Sequence, residues 1–457
     1  MNVRILAAAG VLGLSLIACG GSNSTPASDG GVTGTNSGVV KGRTASTPSA
    51  RELTASGSIA TVFQIQSNGS LTAVSNATSV NSDGTYDATV YFDGSTISDL
   101  VVEISAATDG GASADGGLSG AISGKATVAA SLSSNGSVTA PPIDNQSSVQ
   151  ADTAIAIHAD GSWSANTTDA QIDALVSATS GTAIADSATY SADIQAFAAS
   201  AVAEMNARAT VLASSSFGGS QADLTSLLGA EESAQVTEDA SLDAATSQAQ
   251  ITAAIQARAA AETAAATSAG FTAQQIAAAT LAATRAQAAA LTSISAAVKA
   301  SLTADIEANE AAAVSASDAA AFVALGASST VQSSVASAQA TLQTQLTSAG
   351  NSAVAIAAAW SSYQTSIQAQ LAIALEADET GGASSLSTIL SAQASALTTF
   401  NGAVTSAGSS SSAIATAFAN YQTAISGAIS ADSVLKSLTA AQVSAATTII
   451  VDMNTAG

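Results

Sequence analysis

The chain has 457 residues, a formal net charge of −23 and only ten lysines and arginines. That composition argues against binding nucleic acid or anionic lipid through basic patches, since both need clustered cations. Hydrophobic residues make up 47% and charged residues 9%, far from the composition of a disordered chain, and the length accommodates two or more domains. Aromatic residues are only 3%, so the cores are expected to be packed largely by small side chains, alanine above all.

In chain order, Met1 to Arg4 carry one basic side chain, Ile5 to Ile17 form an apolar stretch of about 13 residues, and the small Ala18 precedes Cys19, the only cysteine. This is the layout of a secretory signal peptide. It is too short for a permanent span, which needs about 20 apolar residues. Leu16-Ile17-Ala18-Cys19 resembles the lipobox of bacterial lipoproteins. The resemblance covers these four residues and implies removal of residues 1–18 and lipidation of Cys19, which would become the diacylated, then N-acylated, first residue of the mature chain. Two or more acyl chains hold a protein firmly on a membrane where one gives only marginal binding. Gly20 in place of Asp implies, by enterobacterial sorting, the outer membrane. The plainer alternative is an ordinary signal peptide that happens to contain a cysteine. A single cysteine leaves no disulfide within one chain.

Residues 19–50 are rich in Ser, Gly, Thr and Asn, with Pro26 and Pro48 and no apolar periodicity, which predicts a flexible tether. All four prolines lie at or before Pro142, as do most of the 34 glycines, so the architecture is expected to change near residue 145. Residues 51–145 read as a β-sandwich-like domain. Ile59, Thr61, Phe63 and Ile65 alternate with Ala60, Val62, Gln64 and Gln66, and "SNGS" at 67–70 signals a hairpin turn into "LTAVSNA". Two further strands flank Asp-Gly turns between Asn81 and Ala106. The turn Asp83-Gly84-Thr85-Tyr86, followed by the apolar run Leu100-Val101-Val102, resembles the carboxypeptidase-regulatory or transthyretin-like β-sandwich modules of secreted bacterial proteins. That resemblance implies a spacer or a platform that contacts sugar or protein. Ser79, Asn81 and Asp83 superficially resemble a calcium loop, but Val90 stands where an EF-hand places its bidentate glutamate, leaving plain β-turns as the other reading. "TDGGASADGG", Thr108 to Gly117, reads as a mobile hairpin loop.

Residues 146–457 switch to helical periodicity without a proline. Leu291, Ile294, Val298, Leu302 and Ile306 are spaced 3, 4, 4 and 4, one apolar stripe of a helix. Thr272 and Gln275 form a capping box with Phe271 as staple, and "LTAAQ" at 438–442 repeats the pattern. "TSAGNSAVAIAAAWSSYQTSIQ", Thr347 to Gln368, aligns without gaps on "TSAGSSSSAIATAFANYQTAIS", Thr405 to Ser426, at a period of 58. The repeat units run from about 329 to 386 and from 387 to 444, and a third "TSAG" spans Thr267 to Gly270. Each is expected to be a helix, a turn with Gly270, Gly350 or Gly408 at the left-handed C-cap, and a returning helix. In the repeat, Ile356, Trp360, Tyr363 and Ile367 correspond to Ile414, Phe418, Tyr421 and Ile425. These are expected in the core, the alternative being an exposed aromatic ledge for sugar or peptide. The fold class is therefore α+β and multidomain, a small N-terminal β-sandwich followed by a long Ala-rich all-α bundle or array of αα-hairpins.

No catalytic set emerges. His158, the only histidine, precedes Asp160-Gly161 at an expected helix end and reads as a solvated cap. The chain has no Ser/His/Asp arrangement, no histidines for a di-iron bundle, no P-loop and no dinucleotide fingerprint. Glu231, Glu232, Glu238, Asp239 and Asp243 fall in one helix and Asp305, Glu307 and Glu310 in another. Such acids can act as a general acid and base pair on a glycosidic bond, or simply form solvated faces. The function expected is that of a non-catalytic, lipid-anchored cell-envelope protein, a stalk or interaction module. It would meet the membrane through lipidated Cys19 and engage a protein or the cell wall, with no nucleic acid, cofactor or metal. The alternative is a periplasmic ligand-binding or chaperone-like helical lipoprotein.

Overall fold

Alternating burial defines the first part of the computed structural model, which describes residues 32–45, 58–106, 124–214, 218–291, 293–349, 352–407 and 410–455. Cys19, the loop at 108–117, Gly350 and Gly408 lie outside the described residues. Among the described residues ten strands come first: β1 Asn36–Arg43, β2 Ser58–Ile65, β3 Leu71–Ala73, β4 Thr78–Ser79, β5 Thr85–Phe92, β6 Thr96–Ile97, β7 Leu100–Ala106, β8 Gly124–Val128, β9 Leu132–Ser133 and β10 Ser137–Thr139. One sheet runs β3-β2-β7-β8 with β4 also on β2; another runs β10-β1-β5; β6 pairs with β9. In the first sheet Val62 pairs with Val102, and in the second Val39 pairs with Thr89. Every second residue faces the other sheet. Ala60 and Val62, Val102 and Ile104, and Ala126 and Val128 bury against Val40, Tyr86, Ala88, Val90 and Phe92.

The hairpin expected at 67–70 forms with Ile65 opposite Leu71. At Asp83-Gly84 the Asp83 carboxylate accepts hydrogen bonds from the N–H and hydroxyl of Thr85, at 3.1 and 2.7 Å, which is turn chemistry.

Within the stretch 19–50 expected as a tether, residues 36–43 instead form β1, which lies between β5 and β10 in the sheet; residues 19–31 and 46–50 lie outside the described residues. The glycines of β1 mark close approach where they had suggested flexibility. A Cβ on Gly38 would come within 2.7 Å of the Leu132 side chain, and one on Gly42 would strike the Tyr86 ring.

The helices are α1 Asn145–Ala159, α2 Asp169–Leu175, α3 Ala178–Ala185, α4 Tyr190–Leu212, α5 Gln221–Ala244, α6 Gln248–Ser268, α7 Ala273–Ala290, α8 Ala296–Ala324, α9 Ser329–Ala349, α10 Ala353–Asp378, α11 Gly382–Ala407, α12 Ser411–Ala431 and α13 Ala440–Thr455. The switch near residue 145 is made by Asp144, whose carboxylate accepts the Ser147 N–H at 2.9 Å while Ser147 Oγ accepts the Asp144 N–H at 2.9 Å, a reciprocal cap. α1 packs on β8, and Lys125 of β8 reaches Asp152 of α1 at 2.8 Å. Phe63, Ile65 and Val101, on the outward face of the sheet, share one core with Val149, Ile157, Ile172, Ile184, Phe197 and Met205. The sandwich and the helices are thus joined through a common apolar layer.

Alanine sets the helix spacing further on. α4 lies along α7, where Ala207, Ala278, Ala282, Ala283 and Ala286 are all buried. The capping boxes form as expected: Gln275 N–H donates to Thr272 Oγ1 at 3.2 Å and Gln442 N–H to Thr439 Oγ1 at 3.3 Å. The stripe from Leu291 to Ile306 is buried as one set. It is not one helix, however, because Leu291 caps the end of α7 and α8 starts only at Ala296.

The 58-residue repeat is two αα-hairpins, α9 on α10 and α11 on α12. The third "TSAG" shares the sequence of their turn but not their hairpin. Gly270 adopts φ +88°, its N–H donates to Thr267 O and that of Phe271 to Ala266 O, both at 3.0 Å, a Schellman ending. But α6 lies along α5, and α7 along α4. The only buried residues of α6 are Ala254 and Arg258, so it has no apolar stripe with which to fold back on α7. No helix among the described residues is long and apolar enough to cross a membrane.

Candidate functional site

The acids of α5 carry the main correction to the sequence reading. Glu231, Glu238 and Asp239 are 7%, 7% and 3% exposed, where a solvated face was expected. Burying carboxylates is costly unless they are paired, and two arginines pair Glu231 and Glu238, while Asp239 meets no arginine among the described residues. Arg208 of α4 forks onto Glu231, Nη1 to Oε2 at 3.1 Å and Nη2 to Oε1. Arg258 of α6 donates to Glu238 at 2.9 Å, to Glu262 at 2.8 Å and to the Ala170 carbonyl at 2.8 Å, and also to Asp173. Arg43, from the strand once read as tether, closes the C-terminal end of α5 by donating to the carbonyls of Leu242 and Ala245 at 2.5 and 2.8 Å.

Acid outnumbers base here, and the proton affinities show it. Burial pushes Glu204 up to about 7 against the lowering pull of Arg208. Burial, reinforced by Glu262, pushes Glu238 up to about 7. Asp169 and Asp239 are both pushed up to about 8, first by burial and then by neighbouring carboxylates.

Beside this network opens a cleft of about 560 Å³. Leu175, Ala266, Phe271, Ile276 and Ala313 give it apolar walls; Glu204, Arg208, Glu231 and Glu262 form a charged end, and Gln171, Thr284 and Gln287 add polar points. Six helices, α2 and α4 to α8, contribute to it.

The acids of α8 do not form a face. Asp305 accepts from Ser177 Oγ at 2.8 Å, Glu307 from Trp360 Nε1 at 2.6 Å and Glu310 from Thr284 Oγ1 at 2.6 Å. Further along α8, Asp318 is fully buried near Asp452 of α13 and accepts the Tyr363 hydroxyl at 2.6 Å. Burial and the nearby Asp452 hold Asp318 well above the usual carboxylate range, and burial pushes Asp452 up to about 7.

His158 is also corrected. It is 6% exposed and stacks on Trp163 with ring centroids 4.2 Å apart, and burial lowers its pKa. The repeat aromatics are core: Trp360, Tyr363, Phe418 and Tyr421 are 2%, 2%, 1% and 2% exposed, so they form no ledge.

The sequence reading missed the cleft, because its lining is scattered over six helices. A usable signal existed in Arg208 and Arg258, two of only ten basic residues, each set within a long Ala-rich helix. Among the described residues no group of three or more His, Cys, Asp and Glu side chains is arranged to hold a metal ion. No protein family, curated protein or solved structure matches the chain. Glu231, at the charged end of the cleft, and Glu238, behind it, are each held by an arginine.

Proposed function

We propose that the chain is an outer-membrane lipoprotein, anchored through acylated Cys19, whose helical region binds a small, mostly apolar ligand without transforming it. The cleft carries this reading. Its volume of about 560 Å³ lies within the roughly 300–1,000 Å³ usual for small-molecule sites, and it combines apolar walls with a few convergent polar groups, as such sites do. The stalk reading has less to stand on, since the repeat aromatics that would supply a contact surface are buried.

The test is a saturation titration with N-phenyl-1-naphthylamine, a neutral apolar dye that brightens when it leaves water. One saturable site is expected. Ala316→Trp, at an exposed position in the cleft wall, should remove it while leaving the helical circular dichroism unchanged. Undiminished dye binding in that variant would sink the assignment. For the anchor, Cys19→Ser should abolish palmitate labelling and release the protein from membranes; undiminished labelling would rule the anchor out.

A further inference from the structure

We propose that the cleft takes a ligand with an apolar body and a cationic amino head group, an assignment that rests on the cleft being a ligand site. The charged end decides the sign. Arg208 and Arg258 face Asp173, Glu204, Glu231, Glu238 and Glu262, an excess of carboxylates over guanidinium groups. Both arginines are already engaged, Arg208 by the fork on Glu231, and Arg258 by three carboxylates and a carbonyl. Neither is left to receive an anionic head group, and an anion entering here would meet an acid surplus at low dielectric.

An ammonium group meets the opposite situation. Glu204 lines the cleft beside Arg208 and Glu231, and of the three carboxylates that line the cleft, Glu204, Glu231 and Glu262, it is the one without an arginine ion pair among the described residues. Burial favours its neutral form; a cation in the cleft would restore the ionised form and gain a charge-assisted hydrogen bond. A second observation points to a ligand at the same place. The Gln287 side chain is 97% buried (3% exposed), lines the cleft, and makes no hydrogen bond among the described residues. Its carboxamide opens on the cleft, and the carboxamide oxygen is an acceptor suited to an ammonium proton. The walls of alanine, Ile276 and Phe271 call for a hydrocarbon body, and a bare metal ion would leave them unused.

Three probes of equal chain length separate the possibilities: octylammonium, 1-octanol and octanoate, titrated calorimetrically at neutral pH into the full mature chain carrying Cys19→Ser. Octylammonium should bind about tenfold more tightly than 1-octanol, the increment of one charge-assisted hydrogen bond over a neutral one, and octanoate most weakly. Glu204→Gln should bring octylammonium and 1-octanol to within about threefold while leaving 1-octanol unchanged. If that variant does not fold, Gln287→Leu should narrow the preference in the same direction. Binding of 1-octanol with an octylammonium preference below threefold, or tightest binding of octanoate, would overturn the cationic assignment and leave the cleft as a ligand site. Binding of none of the three would overturn both.

Discussion

The two copies of the 58-residue repeat, α9–α10 and α11–α12, share a frame and differ in how their buried polar groups are satisfied. Ile356, Trp360, Tyr363 and Ile367 of the first and Ile414, Phe418, Tyr421 and Ile425 of the second are all buried. In the first copy the indole and the phenol both reach carboxylates of α8, Trp360 to Glu307 and Tyr363 to Asp318. In the second, Phe418 meets Phe400 edge-on, Phe400 stacks on Tyr421, and the Tyr421 hydroxyl accepts from Gln393 Nε2 at 2.8 Å. Gln393 occupies the position of Val335 in the first copy, and Phe400 that of Leu342. The cause is the neighbour. The first copy packs on α8, and α12 of the second packs on α4, α7 and α13. A repeat encodes where apolar mass goes, and the helix it lands on decides how its polar atoms are satisfied.

The largest way to test this equivalence is to remove the anchors. Trp360→Ala and Phe418→Ala should each cost about 3–5 kcal/mol in chemical denaturation, the range for emptying a buried aromatic site. Two similar values support equal roles as core; a cost below about 1 kcal/mol for either would break the comparison.

Removing only a hydroxyl should separate the copies. Tyr363→Phe strips a fully buried carboxyl of its donor and should cost about 1–3 kcal/mol, whereas Tyr421→Phe removes a neutral hydrogen bond and should cost about 0.5–1.5 kcal/mol. Equal losses would mean that Asp318 does not depend on the first copy's phenol.

Acidity should separate them again. Asp318 and Asp452 have folded-state pKa values raised above the ordinary 3.8, Asp452 to about 7. A raised carboxyl pKa means that the folded state holds protons the unfolded state releases. Stability is therefore greatest below about pH 4 for this pair and declines as pH climbs towards and beyond 7. The melting temperature should fall by several degrees between pH 5 and pH 8, and Asp452→Asn should flatten that slope. Glu204, Glu238, Asp169 and Asp239 add to it in the same direction, so part of the slope should survive. Tyr421→Phe should leave it untouched, because no carboxylate meets that phenol.

The smallest contrast is at the helix starts. Ser352 Oγ caps α10 by accepting the Ala355 N–H at 3.4 Å, while the Ser410 side chain makes no such bond at α12. Ser352→Ala should cost no more than about 1 kcal/mol, and Ser410→Ala should be close to neutral by the same measurement.

Much of the frame was legible in the residues. The strand alternation at 59–66, the Asp-Gly turns, the caps at Thr272 and Thr439 and the two hairpins follow from patterns within a few residues of each other. β1 was hidden because its apolar content is only Val39 and Val40, and its glycines are demanded by Leu132 and Tyr86, far away in sequence. His158 was misplaced because Gly161, at φ +75°, turns the chain so that Trp163 can lie over the ring. The cleft left almost no trace, since much of its lining is ordinary alanines and threonines brought together only by the packing of six helices.

By itself the sequence determined the change from period 2 to period 3.6 near residue 145, the helix caps and the 58-residue frame, because backbone preference, capping and apolar spacing are local. Only the tertiary structure decided which acids are buried, which carry an arginine and which are left in surplus. The energy of a buried charge depends on every group within a few ångströms, and here those groups come from helices dozens of residues apart. Glu231 and Glu232 are neighbours on α5, yet Glu231 is forked by Arg208, and Glu232 is drawn to the start of α2, where hydrogen bonds from Thr168, Asp169 and Ala170 oppose the upward push of burial.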